Sequence, residues 1–341
     1  MTHPKPLLTA MYFTDTHSKG VNPRSRIDDY PLAIIEKVDW VVQQSIKRKV
    51  DIILHGGDWF DSHDVGNSVV GDFMDAIAPA VAAGIPIVGT YGSHDVHGYN
   101  AETLKRGALR ILESSKMVTI LRRGQVYAIN GVAIVGCPHT TGLDGGDGNY
   151  FIDDYYCVDQ IAQEEYDATI LLAHGTLVEY PLPDGFDHTL IENVKVNADL
   201  VLSGDYHEGY GVYRRSDGVV FCNPGSVART KVTNKRIPCV AFVEVYAAGF
   251  DVDHGVSIIP IAKAKPVSEI FNEAVKDDEP SEHEVTAMVQ YLQKETSKVG
   301  ETFDPIQAIE EVPVVGDKSI IREARDLAVG EVQKADKEKN G

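Results

Sequence analysis

The sequence lacks the features of several common kinds of site. Its four cysteines lie far apart and form no CxxC pair, which argues against a cysteine zinc site and favours buried thiols in a reducing compartment. The glycine-rich segment 142–149 lacks the Gly-Lys-Ser/Thr ending of a nucleotide-binding P-loop. We see neither a signal-peptide cleavage pattern nor an apolar run long enough to cross a bilayer. We therefore expect a cytoplasmic protein that does not bind a membrane.

Basic residues are also scarce. The chain has 32 lysines and arginines against 51 aspartates and glutamates, and its formal net charge is -19. Because the phosphates of nucleic acids bind to basic surfaces, this charge argues against binding of DNA by bulk electrostatics. A nucleic-acid enzyme of this composition would need a local basic patch, bound metal ions or a basic partner.

The hydrophobic pattern predicts an α/β fold. With 341 residues, 43% of them hydrophobic, the chain can form one large domain plus a smaller one. In its first half, apolar strands alternate with amphipathic helices, which indicates parallel strands joined by crossover helices; the strands are 7–13, 51–55 and 85–91, and the helices are 31–48, 67–82 and 101–114. The middle adds short strands and a hairpin at 211–223 with Asp217-Gly218 as its turn. We predict a four-layer α-β-β-α sandwich of two mixed sheets flanked by helices.

A different pattern begins near Lys263. We predict one domain over 1–262 and a small C-terminal region over 263–341, with helical stretches at about 283–297 and 317–335. Two interpretations of this region remain open. It is either a helical appendage on the core, or a module that caps the site or docks a partner.

Five motifs rich in aspartate and histidine stand where apolar strands end. They are Asp15-Thr-His17, Gly56-Gly57-Asp58, Gly92-Ser93-His94-Asp95, His174-Gly175 and Gly204-Asp205-Tyr206-His207. Each motif alone is weak, but ligands of open α/β sheets bind beyond the carboxyl ends of the strands, so five such loops predict one shared site. Carboxylate and imidazole without thiolate suit divalent manganese, iron or zinc.

The same motifs carry a family resemblance over roughly residues 7–245. The sequence resembles the calcineurin-like metallophosphoesterase superfamily, and within it the Mre11/SbcD type of DNA exonuclease subunit. The segments that carry the resemblance are DTHSKG (15–20), KVDIILHGGDWFDSH (49–63), IPIVGTYGSHD (85–95), LLAHG (171–175) and NPGS (223–226). The GGDWFD and PGS elements favour the nuclease branch. We expect the protein to work in a bacterial cell or a phage-infected host.

The resemblance implies two divalent metal ions, with manganese the first expectation and magnesium, iron or zinc as alternatives. It assigns the first ion to Asp15, His17 and His207, a bridging position to Asp58, and the second ion to His174, Ser93 and Asp205. His94 would face the phosphate as proton donor or charge stabiliser, with Asp95 orienting it. Two such ions activate a water and stabilise the charge that develops on the phosphoryl group.

Two positions depart from the family pattern. Ser93 stands where the family usually has asparagine, and Asp205 stands where it usually has histidine. Both would serve the second ion. A serine hydroxyl is a weaker ligand, whereas a carboxylate is a hard one, so the second position should favour manganese or magnesium or else be weakened.

Substrate and partner residues are also implied. Arg229 and Lys231 follow the NPGS motif, Arg26 follows the first motif, and Tyr206 stands beside His207, so these four are candidate DNA contacts. The resemblance further implies an SMC-like ATPase partner of the Rad50/SbcC type, docked on the C-terminal region, and a homodimer.

Three hypotheses follow. The first is a two-metal-dependent phosphodiester hydrolase that acts on DNA as an exonuclease and endonuclease subunit. The second is a stand-alone metallophosphoesterase on a small nucleotide or phosphoester, which the negative charge fits better. The third is a metal-binding scaffold with impaired catalysis, in which Ser93 and Asp205 mark lost activity.

Overall fold

The computed structural model describes residues 5–144, 154–158, 166–183, 186–247 and 255–272. The chain divides after Asn272 into two compact units. The predicted helices at 283–297 and 317–335 lie outside the described residues, and the proposed boundary at 262 stays a prediction. No helix of the described part is both long and apolar enough to span a membrane.

The first sheet has six strands and is mixed. In spatial order they are β14 (Gly255–Pro260), β13 (Cys239–Val245), β1 (Leu8–Phe13), β2 (Ile52–His55), β3 (Ile87–Gly89) and β4 (Thr119–Ile120). Strands β1 to β4 are parallel neighbours, whereas β13 is antiparallel to both β1 and β14. The parallel part therefore directs the carboxyl ends of β1, β2 and β3 to one edge.

The second sheet also has six strands and is mixed. In spatial order they are β11 (Gly211–Arg214), β12 (Val220–Asn223), β10 (Leu200–Asp205), β7 (Ala168–Gly175), β6 (Val132–Cys137) and β5 (Val126–Ile129). The central strands β12, β10, β7 and β6 are parallel, and the two outer pairs are antiparallel. The predicted hairpin at 211–223 is confirmed as β11 and β12. A separate two-stranded ladder joins β8 (Leu177–Val178) and β9 (Thr189–Leu190).

Helices cover the outer face of the first sheet. They are α1 (Tyr30–Arg48), α2 (Asn67–Ala82) and α3 (Leu109–Ser114), and their apolar side chains join those of the first sheet in one buried cluster. The start of α1 is fixed by Asp29, whose side chain accepts a hydrogen bond from Leu32 N, and by a proline in the first turn. The predicted helix at 101–114 is two pieces, a 3-10 helix at Ala101–Arg106 and α3.

Alternate residues of the strands build the core between the two sheets. Tyr12 and Leu54 of the first sheet share this cluster with Ile170, Leu172 and Leu202 of the second. Each such fully buried aliphatic side chain stabilises the fold by about 1.5–3 kcal/mol relative to exposure. This shared core packs the two sheets against each other and thereby fixes the positions of the strand ends from which the loops begin.

The outer face of the second sheet is covered differently. Val135, Leu171 and Phe221 pack there against side chains of turn segments and of a 3-10 helix at Ile191–Asn193. The predicted arrangement of two mixed sheets with flanking helices is confirmed. Within the residues that the structure describes, the α-helices that pack on a sheet are those of the first sheet. A short helix, α4 (Val267–Ile270), follows β14.

Candidate metal centre

The five predicted motifs meet at one edge of the two sheets. Asp15 follows β1, Asp58 follows β2, and the His94 loop follows β3, while His174 and Asp205 lie at the ends of β7 and β10. Cross-loop backbone hydrogen bonds hold the first two loops together, from Asp15 N to Gly57 O (3.1 Å) and from His17 N to Asp58 O (3.1 Å). The predicted side chains therefore lie together beyond the carboxyl ends of the parallel strands, where ligands of open α/β sheets bind.

One group of ligand atoms comes from Asp15, His17 and His207. The Nε2 atoms of His17 and His207 are 3.0 Å apart. Asp15 Oδ1 lies 3.8 Å from His17 Nε2 and 3.7 Å from His207 Nε2. Three buried or half-buried donors that converge in this way can hold one divalent cation.

A second group surrounds His174. Its Nε2 lies 3.5 Å from Asp58 Oδ2 and 3.5 Å from Asp205 Oδ1. The same Asp58 oxygen is 3.7 Å from His17 Nε2, so this carboxylate lies between the two groups. The position fits the predicted bridging ligand, a role that stays a prediction.

The protonation of His174 supports a cation at this position. Its Nδ1 lies 2.8 Å from the carbonyl oxygen of Gly56, which can only accept, so Nδ1 carries the hydrogen. Its buried Nε2 makes no hydrogen bond to the described residues. In the neutral imidazole this Nε2 carries a buried lone pair, which a metal ion would satisfy, whereas without an ion Asp58 and Asp205 favour a proton at the same position. The residues present therefore fit a metal pair.

The backbone of the ligand loops is strained. Asp15, His17, Asp58 and Asp205 have φ values of 53°, 39°, 51° and 79°. Non-glycine residues rarely adopt this left-handed region, which costs about 1 kcal/mol or more per residue. Four of the candidate ligands share it, and such strain is typical of a site whose geometry the surrounding fold imposes.

Two glycines next to His174 and Asp58 leave space for these side chains because they have no side chain of their own. Gly57 has a φ of +106°, and a Cβ atom there would lie 2.5 Å from His174 Nδ1. A Cβ at Gly92 would lie 2.1 Å from Asp58 Oδ1 and 2.5 Å from His174 Nε2. Any side chain at residue 92 would therefore occupy the space between these two candidate ligands.

We expect Gly92→Ala to lower the affinity for the second of two manganese ions at least about tenfold, because the methyl group displaces Asp58 or His174. Isothermal titration with Mn²⁺ measures this directly. The matched control is Gly71→Ala inside α2, where a Cβ meets nothing within 4 Å. That control should keep both binding steps and raise the melting temperature, since alanine is the better helix former. Unchanged binding in Gly92→Ala would contradict the placement of the second ion.

Burial and charge together shift the ionisation of the site. Burial raises the pKa of Asp15 to about 7. Burial opposes the charged form of His174, yet Asp58 and Asp205 hold the pKa of His174 well above its usual range. Burial would also raise the pKa of Asp58, but His174 and His94 keep the pKa of Asp58 well below normal. Three carboxylates crowded around imidazoles form an environment that a divalent cation would stabilise.

His94 stands at the border of the site. Its backbone N donates to Asp58 Oδ1 at 2.9 Å, and its ring packs edge-on against His17 with centroids 4.7 Å apart. Its Nδ1 lies 2.7 Å from Asp61 O, so Nδ1 donates to that carbonyl. Burial lowers its pKa, but Asp58 and the Asp61 carbonyl raise it, and the net direction is upward.

Asp95 has a different place from the one predicted. Its carboxylate accepts hydrogen bonds from the backbone N of Trp59 (3.1 Å) and Gly92 (2.9 Å), so it joins the second and third ligand loops. The ring of His94 is instead oriented by the carbonyl of Asp61. The Asp95 carboxylate is engaged with backbone donors, and its predicted role of orienting His94 stays a prediction.

Ser93 lies in the same loop, between Gly92 and His94. Its hydroxyl oxygen is buried and has no hydrogen-bond partner within the described part of the chain. An oxygen with unused lone pairs is compatible with the predicted ligand role, which no distance here tests.

The predicted substrate contacts divide into two pairs. Arg26 and Arg229 are only 6% and 4% exposed. Arg26 binds the carboxylate of Asp28 and donates to Arg229 O, and Arg229 donates to Lys265 O. These internal contacts remove both side chains from the predicted DNA surface, which corrects that expectation. Lys231 is exposed and Tyr206 half-buried, so both stay candidates.

Sequence reasoning missed several residues of the site. His139 follows β6, the parallel neighbour of β7, and its ring centroid is 6.4 Å from that of His174. A proline-histidine pair after a buried strand was the available signal. Thr176 hydrogen-bonds directly to Asp205, and Asp144 hydrogen-bonds to Thr176. No motif marks them, because their role comes from the pairing of distant loops.

Comparison with known proteins gives one family and several distant relatives. Residues 8–209 match the family profile described as calcineurin-like phosphoesterase. The chain is 25% identical over 205 residues to a DNA double-strand break repair protein Mre11 from Thermoplasma acidophilum, covering 58% of this chain and 51% of that protein. It is 23% identical over 202 residues to the protein of the same name from Haloferax volcanii, covering 59% and 42%. The chain thus spans about half or less of these relatives.

The solved structures that this chain resembles share little of its sequence. A dimetal phosphatase from Danio rerio is 11% identical, with a TM-score of 0.44 over 76% of this chain and 100% of that one. A phosphoesterase from E. coli is 13% identical, with a TM-score of 0.33 over 74% of this chain and 100% of that one.

Proposed function

This chain belongs to the calcineurin-like phosphoesterase family, and on that premise we propose that it is a two-metal-dependent phosphodiester hydrolase that cleaves DNA. Metal-dependent phosphoester hydrolysis is the activity of the family. The observation that carries the proposal is the pair of ligand groups that share Asp58, each with carboxylate and imidazole donors. DNA as substrate is supported by the curated relatives, which are DNA double-strand break repair proteins.

In this proposal the chain holds two divalent ions. Asp15, His17 and His207 would hold one ion, His174, Asp205 and Ser93 would hold the second, and Asp58 would serve both. When bound, such a pair supplies an activated water and charge stabilisation for the phosphoryl group. We propose manganese, because carboxylate and hydroxyl oxygens beside imidazole suit it better than they suit a thiolate-preferring ion.

His94 would act on the leaving oxygen. Since Nδ1 donates to the carbonyl of Asp61, its Nε2 is the nitrogen that can face substrate. Without bound metal, Asp58 and the Asp61 carbonyl raise the pKa of His94 against the effect of burial, and a proton donor must be protonated before it acts. Asp61 and Asp95 would serve by fixing the loops, without contact to substrate.

The acidic net charge of the chain favours a basic partner protein that helps to bind DNA. With a net charge of -19, the chain is poorly suited to hold DNA by itself. We propose that an SMC-like ATPase of the Rad50/SbcC type supplies a basic channel for the DNA. The region after residue 262 would bind this ATPase. Two copies of the complex would form a dimer in the cytoplasm. Lys231 and Tyr206 would be this chain's own DNA contacts.

The substrate is tested with purified protein and Mn²⁺ on linear duplex DNA, single-stranded DNA and bis-p-nitrophenyl phosphate, with and without the ATPase. We expect DNA cleavage that EDTA abolishes and that the ATPase increases. Hydrolysis of the small ester alone, with no DNA cleavage beside the ATPase, would favour a stand-alone phosphoesterase, the alternative that the acidic charge supports. A chain that binds fewer than two ions and hydrolyses neither substrate would instead be a scaffold.

A further inference from the structure

The carboxylate of Asp205 is supported by two residues outside the predicted ligand set. The hydroxyl of Thr176 donates a hydrogen bond to Asp205 Oδ2. An isolated antiparallel bridge also pairs the backbones of Thr176 and Asp205. Backbone and side chain of Thr176 therefore both bind the end of β10.

Thr176 is itself held by a buried carboxylate. Its backbone N donates to Asp144 Oδ2 at 2.9 Å, and Thr189 Oγ1 donates to Asp144 Oδ1 at 2.7 Å. Asp144 is only 9% exposed. Burying a carboxylate is unfavourable unless hydrogen bonds compensate, and here both oxygens accept one. Asp144 thus ties the residue before β8 to the first residue of β9.

The two carboxylate oxygens of Asp205 have different neighbours: Oδ2 contacts Thr176, and Oδ1 lies near His174. Because Oδ2 accepts from Thr176, Oδ1 is the oxygen that lies 3.5 Å from His174 Nε2. The backbone N of Asp205 donates to Asp15 Oδ1 at 3.2 Å, and its φ is 79°. Main chain and carboxylate are therefore both fixed, and rotation about the terminal side-chain bond would break the contact with Thr176.

We propose that Thr176 and Asp144 are positioning residues that hold Asp205 as a one-oxygen ligand of the second cation. The inference rests on the proposed function, since it presupposes a cation beside His174. A carboxylate is shorter than an imidazole and rotates about its terminal bond, so it needs a donor to present one oxygen in a fixed direction. Hydrogen bonds from neighbouring groups to ligating carboxylates are known to control metal affinity.

The test is titration of metal-free protein with Mn²⁺, followed calorimetrically and by the electron paramagnetic resonance signal of free Mn²⁺. Wild type should bind two ions. Thr176→Val removes the hydroxyl and keeps the branched shape, so the first ion should bind as before and the second about 10- to 100-fold more weakly. Thr176→Ser restores the donor and should return the affinity to within about threefold of wild type. Asp144→Asn should weaken the second step in the same direction.

A matched control lies at the opposite end of β1. Thr9 Oγ1 donates to Asp51 Oδ2 at 2.7 Å, so Thr9→Val removes a bond of the same kind away from the site. It should leave both binding steps unchanged. Melting temperatures in EDTA show whether each variant is folded, and Thr176→Ala replaces the valine variant should that one fail to fold.

The outcomes separate this inference from the proposed function. Two ions in wild type with an unweakened second step in Thr176→Val would overturn the role of Thr176, and an unweakened step in Asp144→Asn would overturn that of Asp144. Fewer than two ions in wild type would overturn the metal pair itself. Equal weakening in the valine and serine variants would show that the hydroxyl is not the cause.

Discussion

Asp58→Ala is expected to lower phosphodiester hydrolysis by about a thousandfold or more and to reduce bound manganese from two ions per chain to at most one. The reason is its position between the two ligand groups. Asp58 Oδ2 lies 3.7 Å from His17 Nε2 and 3.5 Å from His174 Nε2, so this carboxylate is placed to serve both ions. Its other oxygen accepts from His94 N, so the alanine variant also loses a contact that holds the His94 loop.

The measurements are kcat/KM on bis-p-nitrophenyl phosphate and metal content by mass spectrometry. Mn²⁺ should raise the melting temperature of wild type, because a ligand that binds only the folded state stabilises it, and should raise that of Asp58→Ala much less. The control is Asp51→Ala, which removes a carboxylate at the other end of β2. Its bond to Thr9 affects stability alone. Two bound ions in Asp58→Ala would contradict the shared ligand.

The sequence predicts the fold and the convergence of the site because both depend on local patterns. Alternating apolar strands and amphipathic helices specify parallel β1, β2 and β3, and parallel strands place their following loops at one edge. Aspartate and histidine at five such ends are enough to predict a metal site. The helix predicted at 101–114 is interrupted, because Ala101–Arg106 forms a 3-10 helix that ends before α3.

The rest of the site depends on contacts between distant segments. Nothing in the sequence shows that Arg26 turns inward, where it binds Asp28 and lies 5.3 Å from the ring of Phe271. Burial of a charged side chain is decided by its tertiary partners, so a run of basic residues predicts a basic surface poorly. The same holds for Asp61, which contacts His94 through its backbone carbonyl, an atom that every residue has.

His94→Gln is expected to lower kcat for DNA cleavage by about 10²- to 10⁴-fold while both manganese ions stay bound. Glutamine can still hydrogen-bond but cannot deliver a proton at neutral pH. The nitrogen atoms of His94 lie close enough to Asp58 and His17 for it to be a ligand instead, so metal content is measured in the same samples. Loss of an ion from His94→Gln would contradict the proton-donor role and assign His94 to the metal set.

Substrates with different leaving groups distinguish proton transfer by His94 from charge stabilisation by His94. p-Nitrophenolate leaves without a proton, whereas the alkoxide of a DNA strand needs one, so a general acid should matter far more for DNA. We expect His94→Gln to impair hydrolysis of bis-p-nitrophenyl phosphate at least about tenfold less than DNA cleavage. The control is His97→Ala, a change of an exposed histidine three residues along the same loop, which should leave both rates near wild type. Equal losses on the two substrates would mean that His94 stabilises the phosphoryl charge and donates no proton, because only proton donation depends on the basicity of the departing oxygen.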